Sequence, residues 1–249
     1  MATEHITPAV LRPDWPAPAN VRALVTLRNG GYSSGPYTSF NLAMHTDDDP
    51  AAVHKNRVLL RTRFNLPNEP VWLQQVHSNR VIEAVSDAAG AEADGSWSRT
   101  AGQVCVVMTA DCLPVLICDR RGTMVAAVHA GWRGLQAGVI THAVSTFTED
   151  AAELMVWLGP AIGPKAFEVG ADVFGVFTGH ARENARAFSQ IDDLHWLCDI
   201  YALARIELAR LGITAVHGGG YCTYTDEQRF YSYRRDNMTG RMASVIWLE

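Results

Sequence analysis

Apolar residues recur along this chain in short, nearly continuous runs set apart by stretches of Gly, Pro, Ser, Asn and Asp. Runs of that length, bounded by turn residues, predict buried strands. They fall at residues 21–27, 71–76, 81–85, 154–158, 213–217 and 243–248, and at two richer places, 104–118 and 124–129. The run at 104–118 is interrupted by Thr109, Asp111 and Cys112, where one strand should stop and the next begin. Segments 71–76 and 81–85 flank HSNR, which places His77 at a strand end or hairpin tip. The Ala, Gly and Ser-rich segment 86–101 predicts a loop, with Asp94 in an Asx turn.

Helical periodicity appears in fewer places. Asp49 and Pro50 supply a capping carboxylate and a first-turn proline for a helix through Phe64, with Val53 and Leu60 facing inward and His54 facing solvent. Asp199 caps a second helix that Gly212 closes, with Ile200, Leu203, Leu208 and Leu211 on one face. Further helices are expected at 135–148 and 168–177. Strands that come both singly and in pairs point to a mixed sheet, or two sheets with helices outside, rather than to a doubly wound parallel sheet. Residues 1–20, rich in Pro and Ala, read as a flexible segment ahead of a domain spanning 21–249.

Composition narrows the partners. The chain has 249 residues, enough for a large core, and a formal net charge of -5 with no local Lys/Arg run, so nucleic acid is a poor partner. No stretch approaches a membrane span or a signal peptide, and a cytoplasmic enzyme is expected. Neither GxGxxG nor GxxxxGK[ST] is present, which disfavours dinucleotide and P-loop folds. Five cysteines without CxxC spacing argue against a disulfide framework. Cys105, Cys118 and Cys198 sit among apolar neighbours and read as core residues.

Cys112, His129 and His77 carry the chemistry. If they converge, one thiolate and two imidazoles make a three-ligand zinc site with a fourth position open. The same residues describe a cysteine nucleophile with a histidine base and Asp111 as its orienting carboxylate. They also describe a copper site, although nine scattered histidines do not suit a multi-copper centre. Their separations of 35 and 17 residues do not choose among the three. The GWRG turn after His129 offers backbone N–H groups and Arg133 to an anion. The loop at 28–42 and the Gly, aromatic and Arg-rich loop at 218–241 can approach a ligand closely.

The segments TLRNGGYSSGPYTSFNLAMHTDDDP, LQQVHSNRV, ADG, TADCLPVLICD, AAVHAGWRGL, LGPAIGP and CTYTDEQRFYSYRRDNMTGR, in this order, resemble the laccase-domain family, also called polyphenol oxidase-like, purine nucleoside phosphorylases of that type, or peptidoglycan editing factor. The likeness runs from about Thr26 to Arg241; Ser78 departs from the glycine expected after the histidine. It implies a single-domain α+β fold with mixed sheets packed between outer helices, and zinc held by His77, Cys112 and His129, with copper the lesser alternative. It also implies phosphorolysis of adenosine, inosine and methylthioadenosine, with adenosine deamination beside it. Hydrolytic editing of peptidoglycan precursors is the alternative; copper-dependent polyphenol oxidation is disfavoured. On this reading Arg28, Asn41 and Arg133 are candidates to position phosphate or water, and Gln75 and Asp111 to orient ligands. The deaminase signatures HxE and PCxxC are absent, so any deamination would use a different scaffold.

Overall fold

The computed structural model describes residues 8–249. In chain order the strands and helices are β1 (Val10–Leu11), β2 (Val21–Thr26), α1 (Pro50–Arg63), β3 (Val81–Glu83), β4 (Gly95–Ser98), β5 (Cys105–Thr109), β6 (Leu113–Asp119), β7 (Val125–Ala130), α2 (Trp132–Gln136) and α3 (Val139–Ser145). They continue with β8 (Leu154–Leu158), β9 (Glu168–Gly170), α4 (Ala171–His180), β10 (Phe188–Gln190), β11 (His195–Cys198), α5 (Ile200–Arg210), β12 (Ala215–Gly218), α6 (Tyr233–Asp236) and β13 (Met242–Leu248).

Two sheets lie face to face between helices. The larger has the order β12-β8-β6-β7-β4-β3 and is mixed: β12 with β8 and β4 with β3 are parallel, the other pairs antiparallel. The second, β1-β2-β13-β5, is antiparallel throughout. Side chains alternate across each strand, so successive residues serve different cores. Leu113, Val115 and Ile117 of β6 pack with Ile140 of α3, Val173 of α4 and Leu203 of α5. Leu116 and Cys118 of the same strand face the second sheet, against Val25, Cys105, Val107 and Ile246. The outer face of that second sheet, with Leu24, Val106 and Val245, is covered by Leu60 of α1 together with Phe40 and Leu42. The result is an α+β domain of four layers, helix, sheet, sheet and helices, with a small antiparallel sheet β10-β11-β9 at one side.

The caps expected at Asp49 and Asp199 are present. The Asp49 side chain accepts from the Ala51 N–H and that of Asp199 from the Ala202 N–H. Other expectations are corrected. Residues 71–76 form no strand; Val71 and Gln74 make isolated bridges to Cys105 and Glu92, and β3 pairs in parallel with β4, so no hairpin carries His77. The loop expected at 86–101 contains β4. The helix expected at 135–148 is broken at Gly138, whose φ of 81° is left-handed, and the one expected from Glu168 begins at Ala171 after a short strand. Ahead of β2, Val10 pairs with Thr26 and Trp15 packs on the core between the sheets. Among the described residues no helix is long and apolar enough to cross a membrane.

Candidate active site

The segment ends named by the sequence meet at one end of the sandwich. Cys112 follows β5 in the turn into β6, and His129 is the penultimate residue of β7. By the two-residue period His129 falls on the same face as Val125 and Ala127, towards the space between the sheets. His77 arrives on the irregular segment before β3 with a φ of 59°. The donor atoms of His77, Cys112 and His129 lie within 4.8 Å of one another, and Cys112 Sγ is 3.9 Å from His77 Nε2. The two imidazoles meet edge to face, with centroids 4.8 Å apart.

A buried carboxylate organises both histidines, and it is Asp94 rather than Asp111. Asp94 accepts from the backbone N–H groups of His77 (3.0 Å) and Ser78 (2.6 Å), from the Ser78 hydroxyl (2.7 Å), and from His129 Nδ1 (2.8 Å). The His129 bond fixes its tautomer and leaves Nε2 for the cluster, the arrangement by which a carboxylate orients a metal-bound histidine. The Val76 N–H (3.3 Å) also donates to this carboxylate, and serine suits position 78 because its hydroxyl is one of the five donors. Next to the cluster, Gly131 is a position where bulk is excluded. A Cβ there would sit 3.0 Å from Cys112 Sγ and 3.1 Å from the His77 ring.

The electrostatics follow from burial and pairing. Burial opposes ionisation of the Cys112 thiol, but the charge and hydrogen bond of His129, with a hydrogen bond from His77, outweigh it and draw the pKa down to about 6. Burial would depress His129, yet the Cys112 thiolate and the Asp94 hydrogen bond lift it to about 9. Asp94, despite burial, is held at about 2 by the hydrogen bonds of His129 and Ser78. By contrast, burial pushes Cys105 and Cys118 up to about 12, and the Cys198 thiol is pushed up as well, as expected of core thiols. Two nitrogens and one thiolate, close together with an ordered carboxylate behind them, fit a metal ion.

The cluster opens on a cavity of about 560 Å³. Among the described residues that line it are three arginines, Arg133, Arg234 and Arg241, and one acid, Asp111. That acid is already committed: its carboxylate accepts from Thr223 Oγ1 (2.6 Å) and from the Arg234 N–H (2.7 Å), so it ties the 218–241 loop to the Cys112 turn and orients no histidine. Gln75 lines the cavity, but its side-chain amide accepts from the Met108 N–H (2.7 Å) and donates to the Met108 carbonyl (2.8 Å), standing in for a strand rung that residues 71–76 lack. Arg133 also lines it, on the five-residue helix α2, and lies over the Trp132 ring.

Arg28 and Asn41 do not line the cavity. The Arg28 guanidinium donates to the carbonyls of Thr38 and Glu227 and covers the Tyr231 ring, which joins two loops. Asn41, fully buried, ties its own loop together through Thr46 and Asp48 and accepts from the Arg241 N–H. The residues missed from the sequence are Asp94, His45 and Arg241. Asp94 carried a signal, a lone Asp before a Gly ahead of the central strands; His45 and Arg241 lay inside the quoted segments without a pattern to single them out.

The family model for multi-copper polyphenol oxidoreductase laccase matches residues 22–249. A Pseudomonas aeruginosa protein named purine nucleoside phosphorylase is 54% identical over 97% of this chain and 99% of its own, and the Escherichia coli purine nucleoside phosphorylase YfiH is 52% identical over 95% and 97%. Among solved structures, Neisseria meningitidis protein NMB0706 superposes with a TM-score of 0.93 at 50% identity, covering 96% of this chain and 99% of that one. YlmD from Geobacillus stearothermophilus gives 0.89 at 27% identity, covering 96% of both. Matched along nearly its whole length in sequence and in fold, the chain belongs to the multi-copper polyphenol oxidoreductase laccase family, whose relatives here are named purine nucleoside phosphorylases.

Proposed function

We propose that this protein is a zinc-dependent purine nucleoside phosphorylase acting on adenosine, inosine and methylthioadenosine, with adenosine deamination as a lesser activity of the same centre. The observation that carries the reading is the three-donor cluster of His77, Cys112 and His129 opening on a cavity whose uncommitted charges are cationic. The names of the relatives support the same chemistry. A multi-copper oxidase needs several closely grouped imidazoles, and among the described residues the His77, Cys112 and His129 group is the sole cluster of metal-ligating side chains.

In phosphorolysis a phosphate oxygen forms a bond to the anomeric carbon of the ribose while the bond from that carbon to the purine nitrogen breaks. The base leaves with the electron pair and takes up a proton. His77, Cys112 and His129 would hold zinc, which would supply Lewis-acid chemistry when bound. Asp94 keeps His129 Nε2 turned to that point, and Gly131 leaves room beside it. Ile162, Phe167 and Trp132 give the cavity an apolar wall suited to a purine, and Arg133 over Trp132 is a candidate to contact the substrate at the rim.

One observation favours a second reading, a cysteine hydrolase acting on a cell-wall precursor. Cys112, His129 and Asp94 are coupled in sequence as thiolate, imidazole and carboxylate, which is the order such a nucleophile needs. His77, a third donor, is superfluous there and is required by the metal reading.

The test is to incubate metal-loaded protein with adenosine, with and without phosphate, and separate the products. Phosphate-dependent release of adenine with ribose 1-phosphate is expected; inosine reports deamination. Turnover of no nucleoside would overturn the phosphorylase, and amide hydrolysis by a zinc-free preparation would favour the cysteine enzyme.

A further inference from the structure

Arginines in this loop cluster fall into two kinds. Arg235 is saturated: its guanidinium donates to the carbonyls of Thr223, Tyr224 and Phe230 and to the Asp236 carboxylate, so it serves to fold the 218–241 loop. Arg241 is not. One terminal nitrogen donates to the carbonyls of Thr239 (2.7 Å) and Gly240 (3.0 Å), which fixes the side chain in place. The guanidinium faces the Tyr233 ring at 5.8 Å, and among the described residues its remaining N–H groups have no hydrogen-bond acceptor and no carboxylate within ion-pair distance. The Cys112 thiolate and the Asp111 carboxylate act on Arg241 only from beyond ion-pair distance, and a buried guanidinium with unfilled donors is stabilised by an anion that completes it.

His45 lines the same cavity and sits in the field of Arg241, Arg57, His129 and His77, all of one sign when protonated. Burial first, and then these neighbours, hold it below the ordinary histidine range.

Asn41 links the two. Its Oδ1 accepts from the backbone N–H of Arg241 (2.9 Å) while its Nδ2 donates to Thr46 Oγ1 (2.9 Å), the residue beside His45, and to Asp48 (2.9 Å). The buried amide thereby sets the distance between segments that are 200 residues apart.

We propose that Arg241 and His45 form an oxyanion subsite that takes inorganic phosphate beside the His77, Cys112 and His129 cluster, with Asn41 as its positioning residue. The proposal rests on the phosphorylase reading for its role in turnover, but the binding site stands on the geometry alone. Two or three free N–H donors of a planar fork match the oxygens of a tetrahedral dianion. The same chemistry exists in the phosphate of a nucleoside monophosphate, which the test separates.

Titrate the metal-loaded full chain with inorganic phosphate and, in parallel, with adenosine monophosphate, by calorimetry or 31P line broadening, and measure phosphate and nucleoside KM values. Arg241→Met is expected to weaken phosphate binding about tenfold or more and to raise the phosphate KM by the same factor, with the nucleoside KM moved less than about twofold. His45→Gln should show a smaller loss, and Arg241→Lys should recover part of the binding. Should Arg241→Met not fold, judged by zinc content and circular dichroism, the Lys and His45→Gln variants carry the same comparison.

The subsite is overturned if wild type binds no phosphate, if the variants bind it as wild type does, or if the monophosphate is preferred to free phosphate. Arg241-dependent phosphate binding with no nucleoside cleavage would sink the phosphorylase reading and leave the subsite standing. Phosphate-dependent cleavage with an unmoved phosphate KM in every variant would do the reverse.

Discussion

Two buried polar side chains anchor irregular segments in this molecule, and they end differently. Asn56 of α1 accepts from the Tyr32 N–H and donates to Ser33 Oγ and to the carbonyls of Ser39 and Asn41, so the 28–42 loop is closed around it. Asp94 gathers the His77 and Ser78 backbone in the same way, but its last partner is His129, whose other nitrogen is left pointing at Cys112 and His77. In the first network every group is satisfied within the protein. In the second the chain of hydrogen bonds terminates in donors with spare valence at a cavity. Density of polar contacts therefore does not mark a site; the place where such contacts run out does.

The sharpest way to break this contrast is Cys112→Ser. Metal content and nucleoside turnover should fall together, turnover by about a thousandfold or more, because the soft anionic donor is lost. A variant that retains full metal but loses activity would move Cys112 from ligand to nucleophile.

Asp94→Asn tests the second network directly. Metal affinity, read by competition with a chromogenic chelator, should drop about 10- to 100-fold. If affinity holds while only the melting temperature falls, Asp94 is no more than a structural anchor like Asn56.

Acid titration of the metal-free protein gives the next effect. Cys112 is depressed to about 6, so its thiolate persists above that pH and is lost as pH falls through it. Alkylation mapped to Cys112 by mass spectrometry should rise with a midpoint near pH 6, against about 8.5 for an ordinary thiol. A midpoint above pH 8 would mean that the imidazoles are not coupled to it.

Asn56→Ala should have the smallest effect on the site and still cost stability. A loss of about 1–3 kcal/mol in urea unfolding is expected from its orphaned partners, with metal affinity unchanged. A parallel loss of metal would show that the two networks are one.

Much of this was legible in the chain because strand periodicity and helix caps are local signals. β8 falls where its apolar run predicts, and the Asp49 and Asp199 caps do too. What escaped was decided at long range. Residues 71–76 have strand composition, yet the Gln75 side chain takes the place of part of a ladder, a substitution no period reveals. Asp94 reads as a turn residue because its partners are 16 to 18 and 35 residues away. Nothing local distinguishes the roles of Arg28, Asn41 and Arg241, and only folding shows that Arg28 joins loops, Asn41 spans them, and Arg241 keeps free donors.

The backbone of β7 takes part in the same arrangement: the His129 N–H donates to the Asp94 carbonyl at 2.7 Å, next to the rung in which Gly95 faces Val128. The carboxylate and the imidazole are thus brought together by the alignment of two strands. Slide β4 by one position and His129 meets glycine or alanine, and every side chain of the strand changes face. The centre is in effect a gauge of strand alignment: during refolding, the capacity to hold a metal should emerge with β4–β7 pairing, and a chain that has settled out of register should be recognisable by its failure to take up the ion.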